Sequence, residues 1–439
     1  MTKKYYIIGG VILLLLIIMG VLLVLGTGNK PKPHGEVNLT WWKTFETSDN
    51  VQQLISDYEQ AHKNVHINYV KKDINTYEQD LLNAYASGTA PDVVSIHNDW
   101  LPKQMDKLSP MPDGLMSLRT YKDSYLDVAA ADFTKDDKVY AMPMNVDVLA
   151  LYWNKDMLGS SGYSAPPKTW QELAAKDMIP KLTKVSKPGS FLRSGIALGT
   201  ASNINRAVDV LALIMLQNGT QFYSSDFTAA AFDQQPAEAT ENSDCTTLGC
   251  LALDYYTQFA NPARKVYTWN SKSDNSVDAF TQGKVAMMFS YYYMTPQIKD
   301  KGPTLNWGVA PVPQVSVDSL NKVNFANYWG EAVSKSSPNA DVAWDFLKFI
   351  TSKDELKKYY SAHKLVASRK DIINEQIGDP DIGVYAESAL TAKSIYKKDA
   401  AGFEQAFSQM IDDVSARGLT PGEALGNGVQ QINFQLQNQ

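Results

Sequence analysis

Two cysteines and five histidines among 439 residues leave little from which to build a metal centre or a thiol active site. The histidines stand at 34, 62, 66, 97 and 363 and form no ligand signature. His62 and His66 are four apart, but the helix that would align them ends before "NVHINYV". The chain also lacks a G-x-S-x-G nucleophile elbow, a Walker phosphate loop and a G-x-G-x-x-G turn after a strand. There is no basic surplus: the formal net charge is −6, and no Lys/Arg-rich run follows the N-terminus. That argues against nucleic acid, whose phosphates need a cationic face. Two carboxylates suffice for a glycosidase, and Asp and Glu are plentiful, but sequence does not give their separation in space. The expectation is a chain that is not an enzyme and holds no cofactor or metal.

Long apolar runs are scarce as well, with one exception. After Lys3 and Lys4, "YYIIGGVILLLLIIMGVLLVLGTGN" carries no charge until Lys30. At about 1.5 Å per residue it can cross a hydrocarbon core of roughly 30 Å. It is longer than the core of a secretory peptide and lacks a small-x-small cleavage site. Residues 1–29 therefore read as a signal anchor forming a transmembrane helix, N-terminus inside, with residues 30–36 as a Pro/Gly-rich stalk. The expected location is the cell membrane, single-pass, with the globular region outside; a long cleaved signal would leave that region on the same side. No cysteine follows the run, which excludes a lipoprotein anchor. An external location permits a disulfide between Cys245 and Cys250 in "NSDCTTLGC". On one continuous helix that spacing would hold the Cα atoms about 8 Å apart, so a bond requires a turn across Thr246 to Gly249.

From Val37 the pattern alternates between strand and helix. "VNLTWW" and "NVHINYV" read as strands, "SDNVQQLISDYEQAHK" and "TYEQDLLNAYASG" as helices, and "PDVVSI" as a short buried strand. Such β-α-β-α-β order implies an α/β fold with a mostly parallel sheet covered by helices. Ligands of such sheets bind beyond the carboxyl ends of the strands. That rule selects Trp42, Thr44 and Glu46 after the first strand, and His97, Asn98, Asp99 and Trp100 after the third. Further on, "GIALG" reads as a strand, and the remainder continues as helix-then-strand units and a helical C-terminus. One stretch breaks its own pattern. "VYAMPMNVDVLALYWNKDML" starts as a strand, stops at Pro143, admits Asn145 and Asp147 into an apolar run, and resumes. A buried carboxylate without partners costs several kcal/mol, so that site is paired, exposed or made for a ligand.

Several stretches in this order resemble the extracellular solute-binding proteins of ABC importers, in particular the carbohydrate-binding group similar to maltose-binding protein. They are "LTWW", "LLNAYASGTAPDVVSI", the 139–158 stretch, "PPKTWQELA", "AFTQGKVAMMFSYYY", "WGVAPVPQ", "EAVSKSSPNADVAWDFLKFITS" and "GLTPGEAL". The resemblance implies a bilobed periplasmic-binding-protein type II fold: two α/β lobes joined by a hinge that the chain crosses near 145–147, 325–330 and 365–368. Lobe 1 would hold 37–145 and 328–365, lobe 2 147–326 and 369–439. It implies a carbohydrate, more specifically an oligosaccharide, bound between the lobes and delivered to ABC permease subunits carried by separate chains. A non-sugar solute such as a peptide or polyamine, or sensing without transport, are the alternatives. By the family's motifs the ligand-binding residues would be Trp42, Thr44, Glu46, Asp99, Trp100, Asn145, Asp147, Asn203, Tyr291, Tyr293, Trp329, Glu331 and Phe403. "SYYYM" and "HNDWLP" depart from the residues many relatives carry there, and leave the solute open.

Overall fold

The computed structural model describes residues 35–175, 177–237, 245–317 and 322–437. The apolar run at 5–29 lies outside them; among the described residues no helix is long and apolar enough to cross a membrane.

The first lobe grows around the strand Val37–Lys43, whose alternation buries Val37, Leu39 and Trp41 on one face. It pairs in parallel with Val65–Lys71 on one side and Val93–His97 on the other. The intervening helices make the two crossovers. Ser48–Ala61 lays Val51, Leu54, Ile55 and Tyr58 on the core, and Tyr77–Ser87 ends at Gly88, whose φ of +71° suits glycine at a helix stop. A strand from far down the chain, Trp329–Ser334, then joins antiparallel to Val93–His97 and also pairs with Ala141–Pro143 and Leu108–Ser109.

The second lobe is antiparallel at its centre. Ala150–Asn154 lies between Met287–Ser290 and Trp307–Ala310. Beside it, Asp147–Val148 pairs with Asn324–Asn327, which pairs in parallel with Ala392–Lys393. The helices Ala207–Gln217, Leu248–Thr257, Ala400–Ser415 and Pro421–Gln437 pack together as its outer layer. "GIALG" is not the regular strand its composition suggests. It follows the single bridge Ser194–Val285 and bonds through Ala197 N to Met287 O at 3.0 Å. Gly199 then turns it away at φ +110°, where an added Cβ would sit 2.6 Å from Ala260 N.

The chain changes sheets inside the 139–158 stretch. Pro143 is the last residue paired in the first sheet and Asp147 the first paired in the second. It returns between Asn327 and Trp329, and a third segment runs alongside, with Val146 N bonded to Val366 O at 3.2 Å and Asn145 bridged to Ala367. Close approach explains the glycine after Trp329: a Cβ on Gly330 would meet the Phe133 ring at 2.5 Å. The polar interruption thus coincides with the passage between sheets. Cys245 and Cys250 are bonded, Cα atoms 5.3 Å apart, with Cys245 before the helix Leu248–Thr257 and Cys250 in its first turn. Thr247 caps that turn through Cys250 N, so the bridge spans a helix start and avoids the continuous-helix geometry that would forbid it.

Candidate ligand cleft

The carboxyl ends of the first-lobe strands carry a ring cluster. Trp329 stands edge-on to Trp100 at 5.1 Å, to His97 at 5.3 Å and to Phe45 at 5.8 Å, while Trp100 stacks on Tyr77 at 6.0 Å. Phe45 is 57% exposed, and Trp100 and Trp329 are half-buried. On the second lobe, beside the passage between sheets, Tyr293 is 51% exposed and stacks nearly parallel on Tyr291 at 5.8 Å. Arg206 lies over the Tyr291 ring at 5.2 Å and pairs with Asp209 at 2.8 Å.

Two contacts join these walls. His97 Nε2 approaches Asn327 Oδ1 at 3.3 Å, and Lys397, between the second-lobe strand Ala392–Lys393 and helix Ala400–Ser415, reaches Asp99 Oδ2 at 3.0 Å. Glu78, Trp100 and Lys103 face Lys397, Lys398 and Asp399 across a narrow crevice. Burial works against the charges of both Asp99 and Lys397, yet their attraction prevails. The Asp99 carboxyl is held well below its usual range by His97 and Lys397, and the Lys397 ammonium is raised by Asp99, with Asp209 and Glu404 near enough to add to it.

Asp147 is the structure's answer to the interrupted strand. Its carboxylate accepts from Val148 N at 2.8 Å and from Tyr292 N and Tyr293 N at 2.9 Å, fixing the short turn that presents Tyr293. Burial pushes its pKa up to about 6 against those three N–H groups. A second carboxylate ties the lobes at the hinge: Asp132 accepts from Asn98 Nδ2 at 3.0 Å, Tyr328 Oη at 2.6 Å and Ser394 Oγ. Burial raises it to about 6 as well.

Several residues selected from sequence therefore serve the scaffold. Glu331 is fully buried and accepts from Trp41 Nε1 at 2.8 Å, Lys43 Nζ at 2.6 Å and Ser95 Oγ at 2.7 Å, so it is not a ligand group. Phe403 is buried and stacks on Phe407 at 4.1 Å. Tyr291 is buried and donates to Asp209 Oδ2 at 2.8 Å. Asn203 turns inward, donating to the carbonyls of Asn270 and Ser273 and accepting from Thr200 and Trp269, which staples its loop. Asp147 and Asp99 are likewise engaged, by main-chain N–H groups and by His97 and Lys397. Thr44 is buried, Asn145 is half-buried in the hinge bridge, and Trp42 is half-covered by Lys72, whose Nζ lies 4.2 Å over its ring. Glu46 accepts from Tyr359 Oη at 3.3 Å and stands 3.4 Å from Lys43. The cleft keeps Trp100, Trp329 and Tyr293 as its open rings. Phe45, Arg206 and Lys397 were missed. Phe45 shares a loop with Thr44 and Glu46 and was findable; Lys397 meets Asp99 only through the tertiary fold.

A family model described as bacterial extracellular solute-binding protein matches residues 53–415. The chain belongs to that family. Among curated relatives, this solute-binding protein is similar to the galactooligosaccharide-binding protein of Bacillus subtilis, at 22% identity over 343 residues, covering 77% of this chain and 74% of the relative. It is also similar to the multiple sugar-binding protein of Streptococcus mutans, at 23% identity over 72% of this chain and 71% of that one. Among solved structures, the sugar-binding protein MalE from Xanthomonas citri superposes with a TM-score of 0.75 at 19% identity, covering 91% of this chain and 97% of the other. A cyclo/maltodextrin-binding protein complexed with maltotetraose gives 0.73 at 18%, covering 93% and 99%. These neighbours establish the bilobed α/β fold of this solute-binding protein. The relatives matched are named as binding proteins.

Proposed function

We propose that this solute-binding protein takes a carbohydrate between its lobes, tethered to the membrane by residues 1–29, and hands it to separately encoded permease subunits. The observation that carries the reading is that open aromatic rings gather where the chain passes between the sheets: Trp329, Trp100 and Phe45 at the strand ends of the first sheet, and Tyr293 on the turn that Asp147 fixes at the start of the second. The apolar C–H faces of a pyranose lie well on such rings, while flanking amides and ions take its hydroxyls. Lys397, Arg206 and Lys103 each have a carboxylate partner and Lys398 donates to the Leu436 carbonyl, which favours a neutral polyhydroxylated solute over an anion. Closure would follow from a ligand touching both walls only in the closed state. The relatives named for galactooligosaccharide and multiple sugars favour the same class.

The test is a thermal-shift screen of the full-length chain against mono- and oligosaccharides, amino acids and polyamines. A saturable rise in Tm with one sugar class is expected, weakened about tenfold or more in apparent affinity by Trp329→Ala and by Tyr293→Ala. A shift with a polyamine alone would overturn the carbohydrate assignment and leave the two-lobed receptor in place.

A further inference from the structure

A second aromatic group, which the proposed function does not use, includes Tyr396, the chain neighbour of the Lys397 that reaches Asp99. The segment Tyr223 to Ala230 forms a small hairpin, bridged between those two residues and closed by Ser224 N to Ala229 O at 2.9 Å and Phe227 N to Ser224 O at 2.9 Å. Asp226 braces the tip, accepting from Ser224 Oγ at 2.7 Å, Thr228 Oγ1 at 2.8 Å and Thr228 N at 3.2 Å. The base is pinned to the C-terminal helix by Ala230 N to Asn433 Oδ1 at 2.7 Å, and Phe222, just before it, lies in the core against Phe407. This is a built loop whose tip position is fixed.

At the tip sits Phe227, with φ +59° and 51% of its surface exposed. Both features run against elementary expectation. At positive φ glycine or asparagine is the unstrained choice, and a bulky side chain there is an outlier. A phenyl ring held in water gains nothing from burial. Strain retained at an exposed aromatic is a feature that folding alone does not explain. The ring is not isolated: it meets Tyr396 at 5.0 Å and Tyr223 at 6.0 Å, and those two meet edge-on at 5.6 Å. Tyr396 directly precedes Lys397, the residue that reaches Asp99 across the cleft. The trio is therefore continuous along the chain with the cleft wall, and its rim carries the hydroxyls and carboxylate of Ser224, Thr228 and Asp226.

We infer that Phe227, Tyr396 and Tyr223 form an outer platform that holds the sugar units of an oligosaccharide extending out of the cleft past Lys397. The inference rests on the carbohydrate reading and adds that the ligand is longer than the cleft. Rings flanked by hydroxyl and carboxylate acceptors match a pyranose face and its edge. Fixed geometry at the tip spares the ordering cost that a mobile ring would add to binding.

Phe227→Gly and Phe227→Asn provide the test, because each removes the ring and relieves the backbone. Calorimetric titration of the full-length chain would use a ladder from monosaccharide to hexasaccharide of the sugar class found in the screen. In the wild type, affinity should rise with length beyond the units the cleft encloses. In both variants that rise should be lost, by about tenfold for the longest member, with monosaccharide affinity unchanged and Tm unchanged or higher. Equal weakening at every length, or an unaltered ladder, would overturn the platform while leaving the carbohydrate reading intact. A fall in Tm with no change in the ladder would make Phe227 a structural residue. Failure of every saccharide to bind the wild type would overturn both.

Discussion

Lys397 Nζ lies 3.0 Å from Asp99 Oδ2, and the two residues belong to opposite lobes. The pair is nearly enclosed, with side-chain exposures of 11% and 3%, so solvent screens it little. The pair is a direct ionic link across the cleft between the two sheets.

Lys397→Met should shift the ligand-free chain toward an open state. The variant keeps the length of the stem but leaves Asp99 with His97 alone, so the closed form loses its charge compensation. Removing one partner of a buried pair typically costs about 3–5 kcal/mol of the state that buries it. A larger radius of gyration by small-angle scattering, relative to wild type, checks this; identical profiles would mean that the hinge, not the ion pair, sets the lobe angle.

Glu331 supports the floor of the first lobe. It neutralises Lys43, a lysine whose ammonium is kept charged against strong burial by Glu331 and then Glu46. Glu331→Gln keeps one oxygen to accept from Trp41 and Ser95 but turns an amide N–H toward the buried ammonium, leaving it the longer contact with Glu46 at 3.4 Å, and should destabilise by about 3 kcal/mol. Adding Lys43→Met should restore more than half. A double-mutant cycle by urea denaturation measures the coupling, and additive losses would show that the pair does not act as a unit.

Stability should depend on pH in two windows of opposite sign. Asp147 has its pKa raised from 3.8 to about 6 by burial, so the folded state holds a proton that the unfolded chain releases above pH 4. Its contribution is most favourable below pH 4 and declines as pH rises through 6, by about 3 kcal/mol in all. Asp99 is shifted the other way: its contribution is present above pH 4 and lost on further acidification. Asp132, raised to about 6 in the same way, adds a decline of the same sign, so urea midpoints from pH 3 to 8 should fall between about 4 and 6, with the fall roughly halved in Asp147→Asn and nearly removed when Asp132→Asn is added; a single-variant curve parallel to wild type would assign the titration elsewhere.

Much of the architecture was legible because it is local. The β-α-β-α-β start follows from period, caps and the Gly88 stop, and Pro143 with Asn145 and Asp147 marked the place where the chain changes sheet. The site was less legible. Strand-end position picked out His97, Asp99 and Trp100, and the family resemblance added Trp329; the fold brings the four together, but neither signal told which of them stays open. Residue type cannot separate Glu331, wholly consumed by three donors, from a carboxylate awaiting a hydroxyl. "SYYYM" hid a similar division: the carboxylate of Asp147 sets a tight turn there, burying Tyr291 and exposing Tyr293. Lys397 had no local signal, since its partner lies almost three hundred positions away.

The Cys245–Cys250 bridge should contribute modestly and locally. It closes a loop of only a few residues, for which the chain-entropy model gives about 2 kcal/mol. It secures the first turn of the helix Leu248–Thr257, within the outer helical layer of the second lobe, and neither cysteine contacts Trp100, Trp329 or Tyr293. Cys245→Ser with Cys250→Ser should therefore lower Tm by a few degrees, as about 2 kcal/mol does for a chain of this size, and leave sugar affinity unchanged. Titration before and after the change, beside a thermal melt, separates the two effects. A parallel loss of affinity would mean that this helix start transmits to the cleft, giving the bridge a redox-sensitive role in binding.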